Sequence, residues 1–182
     1  MRKKAASKPA TNPPIASVTE LVAIAHRVEM DAVERYQLLA DQMETHNNVE
    51  LTRMFLDLAR AERLHAEEIR RLAIERGIDA PVDPIGPWRG DSPEAIDLGE
   101  AHYRMTPYDA LRLALAGEQR ALAFYGELAA THADSAVRKL AGALADEEQE
   151  HVDLCHRLLH RYAWAQLLSR ALWKKPVSSR KW

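Results

Sequence analysis

Apolar residues recur along this chain at steps of three and four, the spacing that places them on one face of an α-helix. Four stretches carry that period, and they come in two pairs. The first opens at Ser17-Val18-Thr19-Glu20, a capping-box pattern, and runs to about Thr45, where His46-Asn47-Asn48 interrupts it. The second spans about Val49 to Arg76 and stops at Gly77, a residue type that accepts the left-handed turn closing a helix. The third opens at Thr106-Pro107, an N-cap followed by proline in the first turn, and runs to about Thr131. The fourth starts near Asp134 or Ser135 and continues to about Leu168.

Short connections within each pair predict two antiparallel hairpins, over residues 17–77 and 106–168. Residues 78–105, with Pro81, Pro84 and Pro87, form a link long enough to cross the full length of a bundle and set the second and third helices parallel. Asp91-Ser92-Pro93 reads as the start of a short helix inside it. The expected fold is all-α, a four-helix bundle of two helical hairpins joined by one long crossover. The ends, residues 1–16 and 169–182, read as basic tails, the second containing Trp173 and Trp182, and within them residues 1–14 and about 174–182 lack periodicity and read as poorly ordered.

The two hairpins repeat one another. Val28-Glu29 through Tyr36 resembles Gly117-Glu118 through Tyr125, each with Glu and then Tyr seven residues later. The partner helices align Leu51, Phe55, Leu58, Glu62, His65, Ile69 and Leu72 with Val137, Ala141, Leu144, Glu148, His151, Cys155 and Leu158. Every apolar stripe thus carries ionisable groups at its middle. A buried, unpaired carboxylate costs several kcal/mol and is normally found paired or bound to a metal. Glu29, Glu62, Glu118 and Glu148 with His65 and His151 can hold two divalent ions with the formal charges cancelling. Glu and His at i, i+3 lie one turn apart on one face, so a single helix offers both to one site. One glutamate on each of two helices, with Glu-x-x-His on the other two, is the donor set of di-iron and di-manganese bundles. Manganese and zinc accept the same donors as ferrous iron.

Through Glu29 with Tyr36, Glu62-x-x-His65, Glu118 with Tyr125 and Glu148-x-x-His151, about residues 17–167 resemble the rubrerythrin-like branch of the ferritin superfamily. The resemblance implies a ferritin-like four-helix bundle with a non-haem di-iron centre bridged by Glu62 and Glu148, capped by Glu29 and Glu118, with His65 and His151 each on one iron. It implies oxidation of ferrous iron by dioxygen or peroxide, or reductive removal of hydrogen peroxide, and commonly a homodimer. Full-length rubrerythrins add a rubredoxin-like domain with paired CxxC motifs. This chain has one cysteine, Cys155, so electrons for turnover are expected from another protein. Where rubrerythrins tend to carry an extra Glu one turn after the third-helix ligand, this chain has Ala121, and the remaining set is closer to a symmetric ferroxidase centre.

Composition narrows the alternatives. At 182 residues the chain makes one domain with tails, and a single cysteine excludes a disulfide framework or a CxxC zinc or iron–sulfur site. The net charge of −2 conceals a split: residues 1–16 and 168–182 hold nine Lys or Arg and no acid, leaving 16 basic and 27 acidic residues, or −11, in between. An acidic body argues against nucleic acid as a partner and is compatible with attracting cations. No stretch reaches the roughly 18 apolar residues of a transmembrane helix, and the chain reads as soluble and cytoplasmic.

Several residues admit two readings. Tyr36 and Tyr125 either donate to a ligating carboxylate across the bundle or are core aromatics. His26 precedes Glu29 by one turn but aligns with Leu115, which favours a core histidine; Glu147 aligns with Ala61, and the repeat selects Glu148 instead. Glu34 and Glu127 fall off the stripes. Cys155 aligns with Ile69 and reads as buried and unreactive, while His46, His102, His132, His156 and His160 read as surface residues. Trp164, Trp173 and Trp182 with the terminal lysines and arginines form an amphipathic ending, read as a helix extension and frayed tail. Besides a di-iron oxidoreductase, the pattern admits a non-catalytic protein that binds or delivers iron, and a metal-free scaffold whose carboxylates share protons.

Overall fold

The computed structural model describes residues 15–78, 92–95, 98, 101, 102 and 104–173, with side chains to residue 163. Among these residues the elements are four helices: α1 (Val18–Thr45), α2 (Val49–Glu75), α3 (Pro107–Thr131) and α4 (Ser135–Trp173). The first three match the sequence boundaries to a residue, because their ends are set by local chemistry. Ser17 Oγ accepts from the Glu20 amide at 3.2 Å, Asn48 Oδ1 from Leu51 N at 3.3 Å, and Thr106 and Asp109 close a full capping box. At the start of α1 the box is modified: Glu20 Oε2 accepts from Ala16 N at 2.6 Å, one residue before the cap. Arg76 caps α2, and Gly77 follows with φ +65°. Helix α4 runs five residues past the expected Leu168. The expected tails are shorter than read from the sequence: Ile15 is buried and residues 169–173 continue α4, while residues 1–14 and 174–182, the side chain of Trp164 onward, and Asp91 at the expected start of a crossover helix lie outside the described residues. Residues 92–95 form a turn closed by Ala95 N donating to Ser92 O at 2.9 Å.

The helices pack chiefly within each hairpin, and the hairpins meet where α1 touches α4 and α2 touches α3. Two apolar clusters fix the directions. One joins Leu21–Val28 at the start of α1, Ile69 and Ala73 late in α2, Phe124 and Tyr125 late in α3, and Val137–Leu144 early in α4. The other joins Tyr36–Met43, Leu51–Ala59, Met105–Ala114 and Cys155 at the opposite end. Helices α2 and α3 therefore run parallel, as the long crossover predicts. Between the two clusters lies a polar layer of Glu29, Glu62, Glu118 and Glu148, all buried. Among the described residues, no helix is long and apolar enough to cross a membrane.

Candidate metal centre

Each hairpin contributes one triad. In the first, His65 Nδ1 lies 3.1 Å from Glu62 Oε2, one turn back on α2, and 3.9 Å from Glu29 Oε2 on α1. In the second, His151 Nδ1 lies 3.5 Å from Glu148 Oε2 and 3.4 Å from Glu118 Oε2 on α3. The internal repeat thus becomes a pseudo-symmetric pair of sites, joined where the two imidazoles stack with centroids 4.2 Å apart and planes 14° from parallel. All six residues predicted as ligands come together in two groups whose donor atoms lie within 4.8 Å of one another.

These carboxylates are poorly served by the protein itself. Glu29 Oε2, Glu118 Oε2 and Glu148 Oε2 are buried without a hydrogen-bond partner among the described residues. Leaving several such oxygens unsatisfied in one apolar layer is costly, and a cation or a bound proton is what relieves it. The charge pattern agrees. Burial, then the Glu62, Glu148 and Glu118 charges, lift the Glu29 carboxyl well above its ordinary range. Burial likewise pushes Glu148 up to about 7, against the pull of His151. Burial opposes a charge on His151, but the Glu118 and Glu148 carboxylates override it and raise its pKa to about 11. The metal-free site therefore holds protons where cations would sit. Hard carboxylate oxygens with one imidazole per triad suit iron, manganese or zinc alike.

The histidine side of the layer opens outward. A groove of about 390 Å³ reaches Glu29, Glu148, His65 and His151, and Glu68, Glu147 and Glu150 stand along it. Glu147 is exposed on this approach, and partial desolvation and then the Glu68 charge raise its pKa. It belongs to this acidic approach and not to either triad. An acidic, concave approach raises the local cation concentration.

The remaining predicted residues fall around the centre. Tyr36 is buried and stacks on Phe55 with centroids 6.2 Å apart, and Tyr125 is fully buried, its hydroxyl without a hydrogen-bond partner among the described residues. Burial raises both phenols, with Glu62 the next influence on Tyr36 and Glu148 on Tyr125. His26 is half-buried, and its pKa is lowered by burial and by Arg70 and Arg27. Cys155 is buried, and burial with Glu118 and Glu62 drives its thiol up to about 12, far from a thiolate. His132 departs from its surface reading: half-buried, it donates from Nε2 to Ile15 O at 2.8 Å and accepts Asp134 N–H at Nδ1 over 3.1 Å, tying the segment before α1 to the α3–α4 turn.

One residue that sequence reasoning missed enters the centre. Glu94, on the crossover, is buried, and its carboxylate joins Glu29 and Glu148 in a third group of potential ligands.

The Rubrerythrin family model matches residues 20–91, a span that holds the whole α1–α2 triad. A crystal structure of an uncharacterized conserved protein from Magnetospirillum magnetotacticum shares 36% identity over 80% of this chain and 95% of that one, with a TM-score of 0.56. No curated protein matches the chain.

Proposed function

For a chain that belongs to the rubrerythrin family of ferritin-like proteins, we propose a non-haem di-iron oxidoreductase that reacts with dioxygen or hydrogen peroxide. Glu29, Glu62 and His65 would hold one iron and Glu118, Glu148 and His151 the other. The observation that carries this reading is the pair of matched triads in a buried layer where one carboxylate oxygen each of Glu29, Glu118 and Glu148 lacks a hydrogen-bond partner among the described residues. When bound, the iron pair supplies the electrons exchanged with the oxidant. The protein's part is to fix six donors on rigid helices, to exclude water with apolar clusters on both sides, and to admit cations along the acidic groove.

Cys155 is too buried and too firmly protonated to serve as a redox thiolate, so an external electron-donor protein closes the proposed cycle. A homodimer belongs to the same proposal, and sedimentation tests it. The rival, an iron-binding or delivery protein, would take up the same metal without steady-state consumption of oxidant.

Metal analysis of purified protein, followed by ferrous iron and then air or peroxide, tests the reading. The expected result is about two irons per chain and the visible absorption of a ferric pair. Glu62→Ala and Glu148→Ala should each lose at least one iron, and Glu147→Ala should keep both. Equal metal in all three variants would refute the assignment.

A further inference from the structure

The crossover delivers a carboxylate to the layer that the four helices share. Glu94 is 5% exposed, and one of its oxygens lies within 4.8 Å of donor atoms of both Glu29 and Glu148. Those two residues belong to different triads, so Glu94 meets the centre where its halves join. Two of the partnerless buried oxygens, Glu29 Oε2 and Glu148 Oε2, belong to this same group. Burial and then the negative charges of Glu29, Glu148, Glu62 and Glu118 hold the Glu94 carboxyl well above its ordinary range.

The backbone shows how a loop residue is held there. Gly117 immediately precedes Glu118, and a Cβ at that position would come within 3.1 Å of Glu94 O, so the crossover lies directly on α3 where a side chain is missing. Arg120, one turn on, donates from Nε to Pro93 O at 3.0 Å and from Nη2 to Ala95 O at 2.7 Å. One guanidinium thus grips the carbonyls on either side of Glu94, and the Ser92–Ala95 turn closes the loop. Four consecutive residues are pinned so that one acid points into the bundle.

We infer that Glu94 is a seventh protein ligand of the metal centre, a crossover carboxylate shared between the two triads. This rests on the di-metal reading above. A fifth carboxylate changes the charge balance: two divalent ions leave the seven-ligand set at −1, and two trivalent ions leave it at +1. Glu94 therefore favours the more highly charged metal pair, and neutralising it should weaken trivalent binding more than divalent binding.

The test titrates metal-free wild type, Glu94→Gln and Arg120→Gln with Co²⁺ and separately with Ga³⁺, reading stoichiometry, affinity and the cobalt visible spectrum. In wild type, about two Co²⁺ per chain are expected. Glu94→Gln should lose about tenfold or more in affinity for at least one ion, shift the cobalt bands, and lose more for Ga³⁺. Arg120→Gln, which keeps the carboxylate but frees the loop, should show a smaller loss in the same direction, and it decides the matter if Glu94→Gln does not fold. Variants that bind two Co²⁺ with wild-type affinity and spectrum would overturn the Glu94 assignment and leave the six-ligand centre standing. Wild type that binds neither metal would overturn both.

Discussion

Glu148→Gln removes a charge from the polar layer while keeping the side chain's shape. In the metal-free protein Glu148 is 2% exposed, and its pKa rises from 4.5 to about 7, first through burial, with His151 opposing and Glu118 adding. Between those two pH values the folded chain keeps a proton that the unfolded chain has released, so stability falls as pH rises across the window. At about 1.36 kcal/mol per unit, the loss is about 3 kcal/mol from this group alone. His151 acts with the same sign higher up. Its pKa is raised from 6.5 to about 11, so the stability it contributes is complete below 6.5 and fades as pH rises through 11.

A glutamine at 148 has no proton to surrender. Without metal, the variant should match wild type near pH 5 and exceed it at pH 8 by about 1–3 kcal/mol, part of the gain being lost because His151 keeps only Glu118 as a close anion. For a domain of this size that is roughly 5 °C in melting temperature. Chelator-treated protein unfolded by urea or heat at the two pH values measures it. Adding a divalent metal should then raise wild-type stability and do much less for the variant. If Glu148→Gln destabilises the metal-free protein equally at pH 5 and pH 8, the carboxylate is a satisfied structural partner and the argument for a strained, cation-seeking layer fails.

Gly77 has φ +65° with open space around the position of a Cβ, so Gly77→Ala should cost about 1 kcal/mol from backbone strain alone, whereas Asn47→Gly at φ 57° should be neutral or mildly stabilising; urea midpoints check both. His132→Ala removes two hydrogen bonds and should lower stability by about 1–2 kcal/mol while speeding amide exchange at Leu21, the first described core residue of α1. The Cys155 thiol should resist a disulfide reagent at pH 8 in the folded protein and react at once in denaturant, and rapid labelling of the native state would contradict its burial.

Helix bounds and the two triads were legible in the sequence because both rest on short-range rules. Caps such as Thr106 with Asp109 are written within four residues, and the steps of three and four fix which side chains share a face. The end of α4 was less legible, since no glycine stands between Leu168 and Trp173 to stop it. Glu94 was invisible for a different reason: it lies in an aperiodic, proline-rich link, and its position depends on Arg120, whose bonds reach carbonyls 27 and 25 residues back. Yet the repeat carried a trace of it. Where α1 has Val28, fully buried before Glu29, α3 has Gly117 before Glu118, and where α1 has Asp31, α3 has Arg120. A glycine inside a helix sacrifices about 1 kcal/mol against alanine and marks a close approach by another backbone. The two departures from symmetry, a missing side chain and an added cation one turn apart, are the two features that hold the crossover against α3. In a duplicated bundle the mismatches between halves thus locate the element that has no duplicate.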